Sequence, residues 1–400
     1  MVVGQFSQDV DILVIGGGPA GYTAAFRAAE LGKTVAIVDP NETLGGECLH
    51  HACIPSKSAV FGVDSTQAIA TISKGVEHRC TSLGIERLHG LVHFENVKTA
   101  QVTGEVVSVI KFRKAIIASG SQQRTHNEYS ETMQVESIYS EVPSQKNLLI
   151  VGNTPSAIEA ATFLSNTNNV SLWAEGNILS TFARGLVKLV ERKLSKCITI
   201  CKEKPGAEDF DHVILAGHRP PHTSSLQLEH ANISCTDGFV TIDDTCQTTN
   251  PKMYAVGECV GCQHSVALAI SQARVAAESA CGLDSHVDST WIPQVAWSTP
   301  EIAQVGELDS NETISVKWGN SGLAVTLGCQ DGVTMLAFDK ESHAILGIGI
   351  AGTGATEMIS EGVLALEMGA TLYDLATVVR PHPTRSEMLS EAARIALTSL

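Results

Sequence analysis

Short apolar runs of four or five residues, each followed at once by a glycine-bearing turn and then by apolar positions at helical spacing, occur twice along the chain. The first occupies residues 11–39, DILVIGGGPAGYTAAFRAAELGKTVAIVD. Its pattern predicts a buried parallel strand at Asp11–Ile15, a helix running to about Leu31, and a second strand at Thr34–Val38 that ends in Asp39. The second occupies residues 147–175, NLLIVGNTPSAIEAATFLSNTNNVSLWAE. Strands are predicted there at Leu148–Val151 and Val170–Trp173, with a helix between them. Strand, helix and parallel strand in that order make an α/β fold with two Rossmann-like units.

The turn of the first unit is Gly16-Gly17-Gly18-Pro19-Ala20-Gly21, a GxGxxG in its full context. Gly16 permits the tight turn, Gly18 lets the backbone approach a pyrophosphate, and Gly21 lets the helix pack on the strand. The helix N-terminus supplies amide donors for phosphate, and Asp39 can accept a hydrogen bond from a ribose hydroxyl. In the second unit the fingerprint is degraded: Gly152 stands at the first position, Thr154 at the second and Ala157 at the third. Thr154 adds bulk where a pyrophosphate approaches. Glu175 follows the second strand, and no arginine lies in Trp173–Ile178 to neutralise a 2′-phosphate, so NAD(H) is favoured over NADP(H). Two such units suggest hydride transfer between a nicotinamide and a flavin. A third glycine-rich stretch, Gly347–Gly352, is followed by no second strand ending in an acid and reads as a structural strand-to-helix turn.

Composition narrows the picture. Four hundred residues exceed what one core usually supports. A net charge of −16 argues against a nucleic-acid surface and supplies no polybasic segment for a membrane. No apolar run reaches membrane-spanning length, and MVVGQFSQDVD lacks the basic start and apolar core of a signal peptide. The 11 cysteines are scattered and odd in number, which points to a reducing cytoplasm rather than a secreted framework.

Residues 45–57, GGECLHHACIPSK, concentrate the candidate chemistry. Cys48, His50, His51 and Cys53 invite either a metal site or a redox-active disulfide. As metal ligands they point in different directions around a helical turn, and Ile54–Lys57 have no part in that reading. As a redox pair, the glycines allow close approach to a ring system and a helix N-terminus lowers a thiol pKa. No metal is expected. Cys259 and Cys262 form a CxxC with no second pair, so that spacing carries no metal site.

These residues closely resemble the class I pyridine nucleotide–disulfide oxidoreductases, over nearly the whole chain. GGECLHHACIPSK resembles that family's redox-disulfide pattern GGxCxxxxCxPSK, and KAIIASGS (Lys114–Ser121) its strand closing the first FAD half. LAGHRPP (Leu215–Pro221) resembles the GRxPN turn, MYAVGEC (Met253–Cys259) the second FAD motif, and HPTRSE (His382–Glu387) the HPTxxE signature. The resemblance implies a discontinuous FAD domain (1–143 and 249–288), an inserted NAD(P) domain (144–248) and a C-terminal α+β dimerisation domain (289–400). Turn-rich stretches near Pro143, Thr248–Pro251 and Asp284–Ser289 agree with those limits.

By the same resemblance Cys53 is the flavin-proximal charge-transfer thiol and Cys48 the interchange thiol. Lys57 lies near the flavin and pairs with Glu159, and His382, oriented by Glu387, is the acid/base. In a homodimer His382 and Glu387 of one subunit complete the disulfide site of the other. FAD is assigned to Gly16, Gly18, Pro19, Ala20, Gly21, Asp39, Gly46, Lys57, Val92, Ala118, Ser119, Gly120, Gly257 and Glu258, where the family commonly has aspartate at the last position. NAD(H) is assigned to Gly152, Thr154, Ala157, Glu175 and Gly217. The implied reaction passes electrons between NAD(P)H, FAD, Cys48–Cys53 and a small or protein-borne dithiol, most like the dihydrolipoamide dehydrogenase type. The alternatives are a flavoprotein redox sensor with impaired nicotinamide turnover, and a mercuric-reductase-like enzyme. The chain departs from the family in four ways. It is compressed at Lys57–Lys114 and Lys196–Val213, and Pro155 stands at a position where many members have tyrosine. His50 and His51 separate the cysteines, where bystander imidazoles are the preferred reading, and the end ARIALTSL lacks a mercury-binding cysteine pair.

Overall fold

The computed structural model describes residues 6–104, 108–126, 129, 131–261, 265–309 and 312–400. Strand β1 (Phe6–Ile15) leads through the first glycine turn into helix α1 (Pro19–Glu30) and strand β2 (Val35–Asp39). Helices α2 (Gly46–His50), α3 (Cys53–Val60) and α4 (Ser65–Ser82) follow. Strands β3 (Glu86–His89), β4 (Leu91–Asn96), β5 (Thr99–Thr103) and β6 (Ser108–Ile117) complete this passage. The sheet order is β3-β2-β1-β6-β5-β4. The β3, β2, β1 and β6 pairings are parallel, whereas β5 and β4 turn back antiparallel. Alternate residues feed opposite faces: Ile12, Val14 and Ile37 pack in one core, Leu13, Ile15 and Val38 in another.

The chain then builds a second sheet from β7 (Thr132–Gln134), β8 (Asn147–Val151), helix α5 (Pro155–Leu164) and β9 (Asn169–Trp173). Helix α6 (Arg184–Leu194) and strands β10 (Thr199–Cys201) and β11 (His212–Leu215) finish it, all parallel, in the order β10-β9-β8-β11-β7. It next returns to the first sheet. The small hairpin β12 (Cys235–Thr236) and β13 (Phe239–Val240) precedes β14 (Met253–Ala255), which pairs in parallel with Ala115–Ile117 of β6, and helix α7 (Val266–Ala280). The last passage is an antiparallel sheet of β15 (Gln294–Ala296), β16 (Ile302–Gly306), β17 (Thr313–Lys317), β18 (Val333–Phe338) and β19 (Ile345–Ala351). Helix α8 (Gly322–Thr326) precedes β18, and α9 (Ala355–Glu367), α10 (Leu372–Thr377) and α11 (Glu387–Ser399) close the chain.

Two compact units result: residues 1–124 with 218–289, and residues 125–217 with 290–400. This division differs from the expected limits at two places. Residues 218–248, placed in the NAD(P) domain by the resemblance, pack with the first unit, because Leu226, Leu228, Ile233 and Val240 complete the core beneath β4 and β5. Residues 125–143, assigned to the FAD domain, belong with the second unit, since β7 pairs with β11 and Val135 and Ile138 enter its core. Within that unit the second Rossmann sheet and the antiparallel sheet share one core. Gln304 of β16 accepts from the Ala183 amide at 2.8 Å and donates to the Thr181 carbonyl at 2.8 Å. The glycine-rich stretch Gly347–Gly352 lies mostly inside β19, with only its last residue at the exit toward α9. No helix among the described residues is long and apolar enough to cross a membrane.

Candidate active site

In the first unit a cavity of about 330 Å³ opens at the C-terminal ends of the parallel strands, where such sheets place their ligands. It is lined by Gly16, Gly18, Pro19, Ala20, Asp39, Gly46, Cys48, Val92, Ala118, Ser119, Gly120, Gly257 and Glu258. Residues from five separated stretches of sequence therefore meet in one place. Asp39 is buried there, its Oδ2 accepting from the Gly17 amide at 2.6 Å and its Oδ1 from the Asn41 amide at 2.8 Å. The carboxylate thus fixes the glycine turn as well as facing the cavity. Ser121 donates a short hydrogen bond to Glu258.

The three fingerprint glycines answer different needs. Gly16 has φ +103° and a Cβ there would lie 2.2 Å from the Ala118 carbonyl oxygen; at Gly21 it would lie 1.8 Å from that of Gly16. Both are demanded by the protein's own packing. Gly18 is not: its backbone is extended (φ −71°, ψ −177°), and the nearest atom to a Cβ would be Gly46 Cα at 3.9 Å. The space at Gly18 is kept open toward the cavity. The cradle fits a dinucleotide pyrophosphate over the N-terminus of α1, which no side chain caps.

The cysteine pair lies at a break between two helices rather than on one. Cys48 is the third residue of α2, and His51 and Ala52 intervene before Cys53 opens α3. Both are thiols in this structure, and Cys53 hydrogen-bonds Cys48. That contact, followed by burial and the negative charges of Cys53 and Glu258, pushes the Cys48 thiol well up, with Lys57 of α3 opposing. Cys48 is raised by these neighbours although it lies in the first turn of α2. It sits inside its short helix, whereas Cys53 occupies the first position of the next. His50 Nε2 lies 3.3 Å from Thr43 Oγ1 and 3.3 Å from the Leu44 carbonyl, and His51 is exposed. Among the described residues no group of three or more potential ligands is placed to hold a metal ion. Cys259 is fully buried, donating to the Val256 carbonyl at 3.2 Å, and burial pushes it up to about 11. Its CxxC partner Cys262 lies outside the described residues.

Two neighbours of the cysteines carry no sequence motif that assigns them. Tyr22 follows the glycine turn, and burial and then the charges of Cys48 and Cys53 push its phenol up. Arg219, from the LAGHRPP stretch, is buried and reaches Glu47, the residue before Cys48, with Nη1 at 3.3 Å from Oε2. Its other nitrogens donate to the carbonyls of Ser121 and Gln122 at 3.4 and 3.3 Å.

In the second unit the β8–α5 turn repeats the first. Gly152 has φ +154° and a Cβ there would meet the Ala216 carbonyl oxygen at 2.5 Å, as Gly16 would meet Ala118. Thr154 caps α5, accepting from the Ala157 amide at 3.4 Å and donating to the Ala216 carbonyl. Gly217 follows Ala216, and Glu175 is exposed just past β9. Glu159, buried on α5, accepts from the Trp297 amide at 2.9 Å. The structure describes Lys57 and Glu159 in different units. His382 and Glu387 form an exposed pair, Nδ1 to Oε1 2.9 Å, while Oε2 accepts from the Thr384 amide at 2.8 Å. The His382 contact first, then the Thr384 amide, holds the Glu387 carboxyl below its usual range.

A doubly nucleotide-folded chain with a cysteine pair at its first cavity defines a flavin-linked thiol–disulfide protein. The sequence matches the family model of the pyridine nucleotide-disulphide oxidoreductases over residues 10–204 and that of the family's dimerisation domain over 292–393. It is 31% identical to the dihydrolipoyl dehydrogenase of Geobacillus stearothermophilus over 99% of this chain and 98% of that protein. Against the dihydrolipoyl dehydrogenase of Bacillus subtilis (strain 168) the identity is also 31%, over 100% and 99%. The fold superposes with a TM-score of 0.90 on the Cu(II) complex of the HOCl-induced flavoprotein disulfide reductase RclA from Escherichia coli. That pair is 20% identical and covers 97% of this chain and 99% of the other. The chain belongs to the class I pyridine nucleotide–disulfide oxidoreductase family. It is an FAD-dependent disulfide oxidoreductase.

Proposed function

We propose that this protein is a dihydrolipoamide-dehydrogenase-type enzyme, exchanging two electrons between NAD(H) and a small or protein-borne dithiol through FAD and Cys48–Cys53. The observation that carries this reading is the Cys48–Cys53 thiol contact at the edge of the cavity lined by the glycine turn. FAD, when bound, supplies the two-electron relay between a nicotinamide and the cysteine pair. The FAD-site residues are those that line the cavity together with Gly21 and Lys57.

In the disulfide-reducing direction, Cys48 attacks one sulfur of the substrate, forming a mixed disulfide and releasing the first thiolate. Cys53 then attacks Cys48, closing the Cys48–Cys53 disulfide and releasing the second thiol. A Cys48 thiol raised by its surroundings does not ionise on its own at neutral pH, so a separate base is needed. His382 of a second copy fills that role, returning the proton to the departing thiolate, with Glu387 orienting its ring. Lys57 favours the ionised cysteine. A homodimer in the cytoplasm is the setting this requires.

NAD(H) rather than NADP(H) is proposed because Glu175 stands past β9 with no arginine between Trp173 and Ile178. The second reading, a flavoprotein that turns over poorly with a nicotinamide, is favoured by Thr154 in the pyrophosphate turn. Stopped-flow reduction of the holoenzyme with NADH and NADPH separates the two. Rapid flavin reduction by NADH followed by thiol formation at Cys48 and Cys53 supports the enzyme, and no reduction by either donor refutes it. A panel of lipoamide, glutathione disulfide, coenzyme A disulfide and mercuric ion then tests the substrate, with lipoamide expected to turn over fastest.

A further inference from the structure

The two βαβ turns correspond position by position: Gly16 to Gly152, Gly18 to Thr154, Pro19 to Pro155, Ala20 to Ser156 and Gly21 to Ala157. Their backbones agree as well. Gly18 sits at φ −71°, ψ −177° and Thr154 at φ −84°, ψ 163°, each the N-cap of its helix with proline next. Ala118 and Ala216 likewise hold equivalent places, each with its carbonyl oxygen against the first glycine of its turn. The difference lies in what fills the approach to the helix N-terminus. At Gly18 the protein leaves that space open although its own packing would accept a Cβ. At Thr154 a side chain occupies it.

The hydroxyl of that side chain is also committed inward. It donates to the Ala216 carbonyl and accepts at 3.4 Å from the Ala157 amide, which also donates to the Thr154 carbonyl at 3.0 Å, whereas no side chain caps α1. Proline at the first helical position removes one amide in both turns. In the second turn a further amide is thus engaged before any ligand arrives. A pyrophosphate there loses a charge-assisted donor and meets added bulk.

We propose that Thr154 is a specificity-determining residue that weakens pyrophosphate binding in the second nucleotide turn, so that the enzyme grips the nicotinamide donor mainly by parts other than its diphosphate. This rests on the proposed function for the identity of the donor, but not for the binding step. The test is calorimetric titration of the holoenzyme with ADP-ribose, which carries the pyrophosphate and no nicotinamide, in wild type, Thr154→Ala and Thr154→Gly. Thr154→Ala removes the side-chain bulk and the hydroxyl's hold on the Ala157 amide, leaving only that amide's bond to the residue-154 carbonyl, without adding backbone freedom, so it guards against a glycine variant that folds poorly. Both variants are expected to bind ADP-ribose about tenfold more tightly than wild type. The ratio of kcat/KM for NADH to that for the phosphate-free donor 1-benzyl-1,4-dihydronicotinamide is expected to rise by a similar factor, through KM for NADH. An ADP-ribose Kd that stays within about twofold of wild type, or weakens, in both variants overturns the proposal. If NADH reduces none of the proteins, the proposed function fails while the ADP-ribose affinities still decide the role of Thr154.

Discussion

Arg219 and Glu47 stand 172 residues apart in sequence and 3.3 Å apart in space, joining the LAGHRPP turn to the helix that carries Cys48. The arginine side chain is only 7% exposed, while the carboxylate is 49% exposed. The guanidinium is therefore the member whose loss matters, because its buried side chain and its donors to the part-buried Ser121 and exposed Gln122 carbonyls go with it. Arg219→Ala is expected to destabilise the protein by about 1–3 kcal/mol in urea unfolding, and Glu47→Gln by much less. Equal losses in the two variants would mean that the ion pair, not the packing of the arginine and its carbonyl contacts, carries the interaction.

The glycine turn offers a separation of ligand binding from folding. Gly18→Ala is expected to change the stability of flavin-stripped protein by no more than about 0.5 kcal/mol, since its backbone is ordinary and its Cβ has room. The same variant should lower flavin affinity by at least about tenfold, read from the flavin-to-protein ratio and by titration. Gly21→Ala, whose Cβ collides with the Gly16 carbonyl, should cost more than about 2 kcal/mol.

The His382–Glu387 pair predicts a pH signature. Because the folded Glu387 carboxyl is held below its ordinary value of 4.5, the unfolded chain binds more protons near that pH, and folding stability from this contact rises with pH. The contribution is present at neutral pH and disappears as pH falls through the lowered folded value. Denaturation midpoints of wild type and Glu387→Gln should differ at pH 7 and converge at strongly acid pH. With lipoamide, Glu387→Gln should also lose about 10–100-fold in kcat, the scale set by a partner that orients an imidazole.

Cys48 should react slowly with alkylating agents at neutral pH in the reduced enzyme, because its thiol lies above the ordinary value of 9.0. Peptide mapping after timed iodoacetamide exposure should show exposed Cys197 labelled well before Cys48. The Cys48 rate should keep climbing past pH 9 instead of levelling there. Lys57→Met should slow it several-fold further at fixed pH, since Lys57 opposes the upward shift. A faster rate in that variant would exclude the lysine from the electrostatics of the pair.

Much of this was legible in the sequence, and the reason is local. Both βαβ units announce themselves through strand, turn and helix periodicities within thirty residues, and β1, α1, β2, β8, α5 and β9 fall where those periodicities put them. The cysteine pair and the His382–Glu387 contact are likewise short-range, and their spacing survives into space. What did not read from the sequence depends on pairing between distant segments. Arg219 lies in a turn that resembles a domain end, and nothing around it points to Glu47. The break at His51–Ala52 that separates Cys48 and Cys53 into two helices is not shown by the spacing of the cysteines. The unit limits at residues 124 and 218, which differ from the expected 143 and 248, share that cause. Turn composition marks where an element stops, but not which sheet the following segment joins.

The pairing of β14 with the second half of β6 bears on how the protein is made. On the ribosome, Ala115–Ile117 emerges long before Met253–Ala255, with the whole second Rossmann sheet synthesised in between. Until then the Ala115–Ile117 half of the flank that β5 leaves uncovered is a bare strand edge, a template for pairing with the wrong chain. A stop or cleavage anywhere between β6 and β14 leaves a fragment with that edge exposed and the Glu258 wall of the cavity missing. Half-length products of this gene should therefore accumulate as aggregates or as clients of chaperones, not as a small flavin-binding domain.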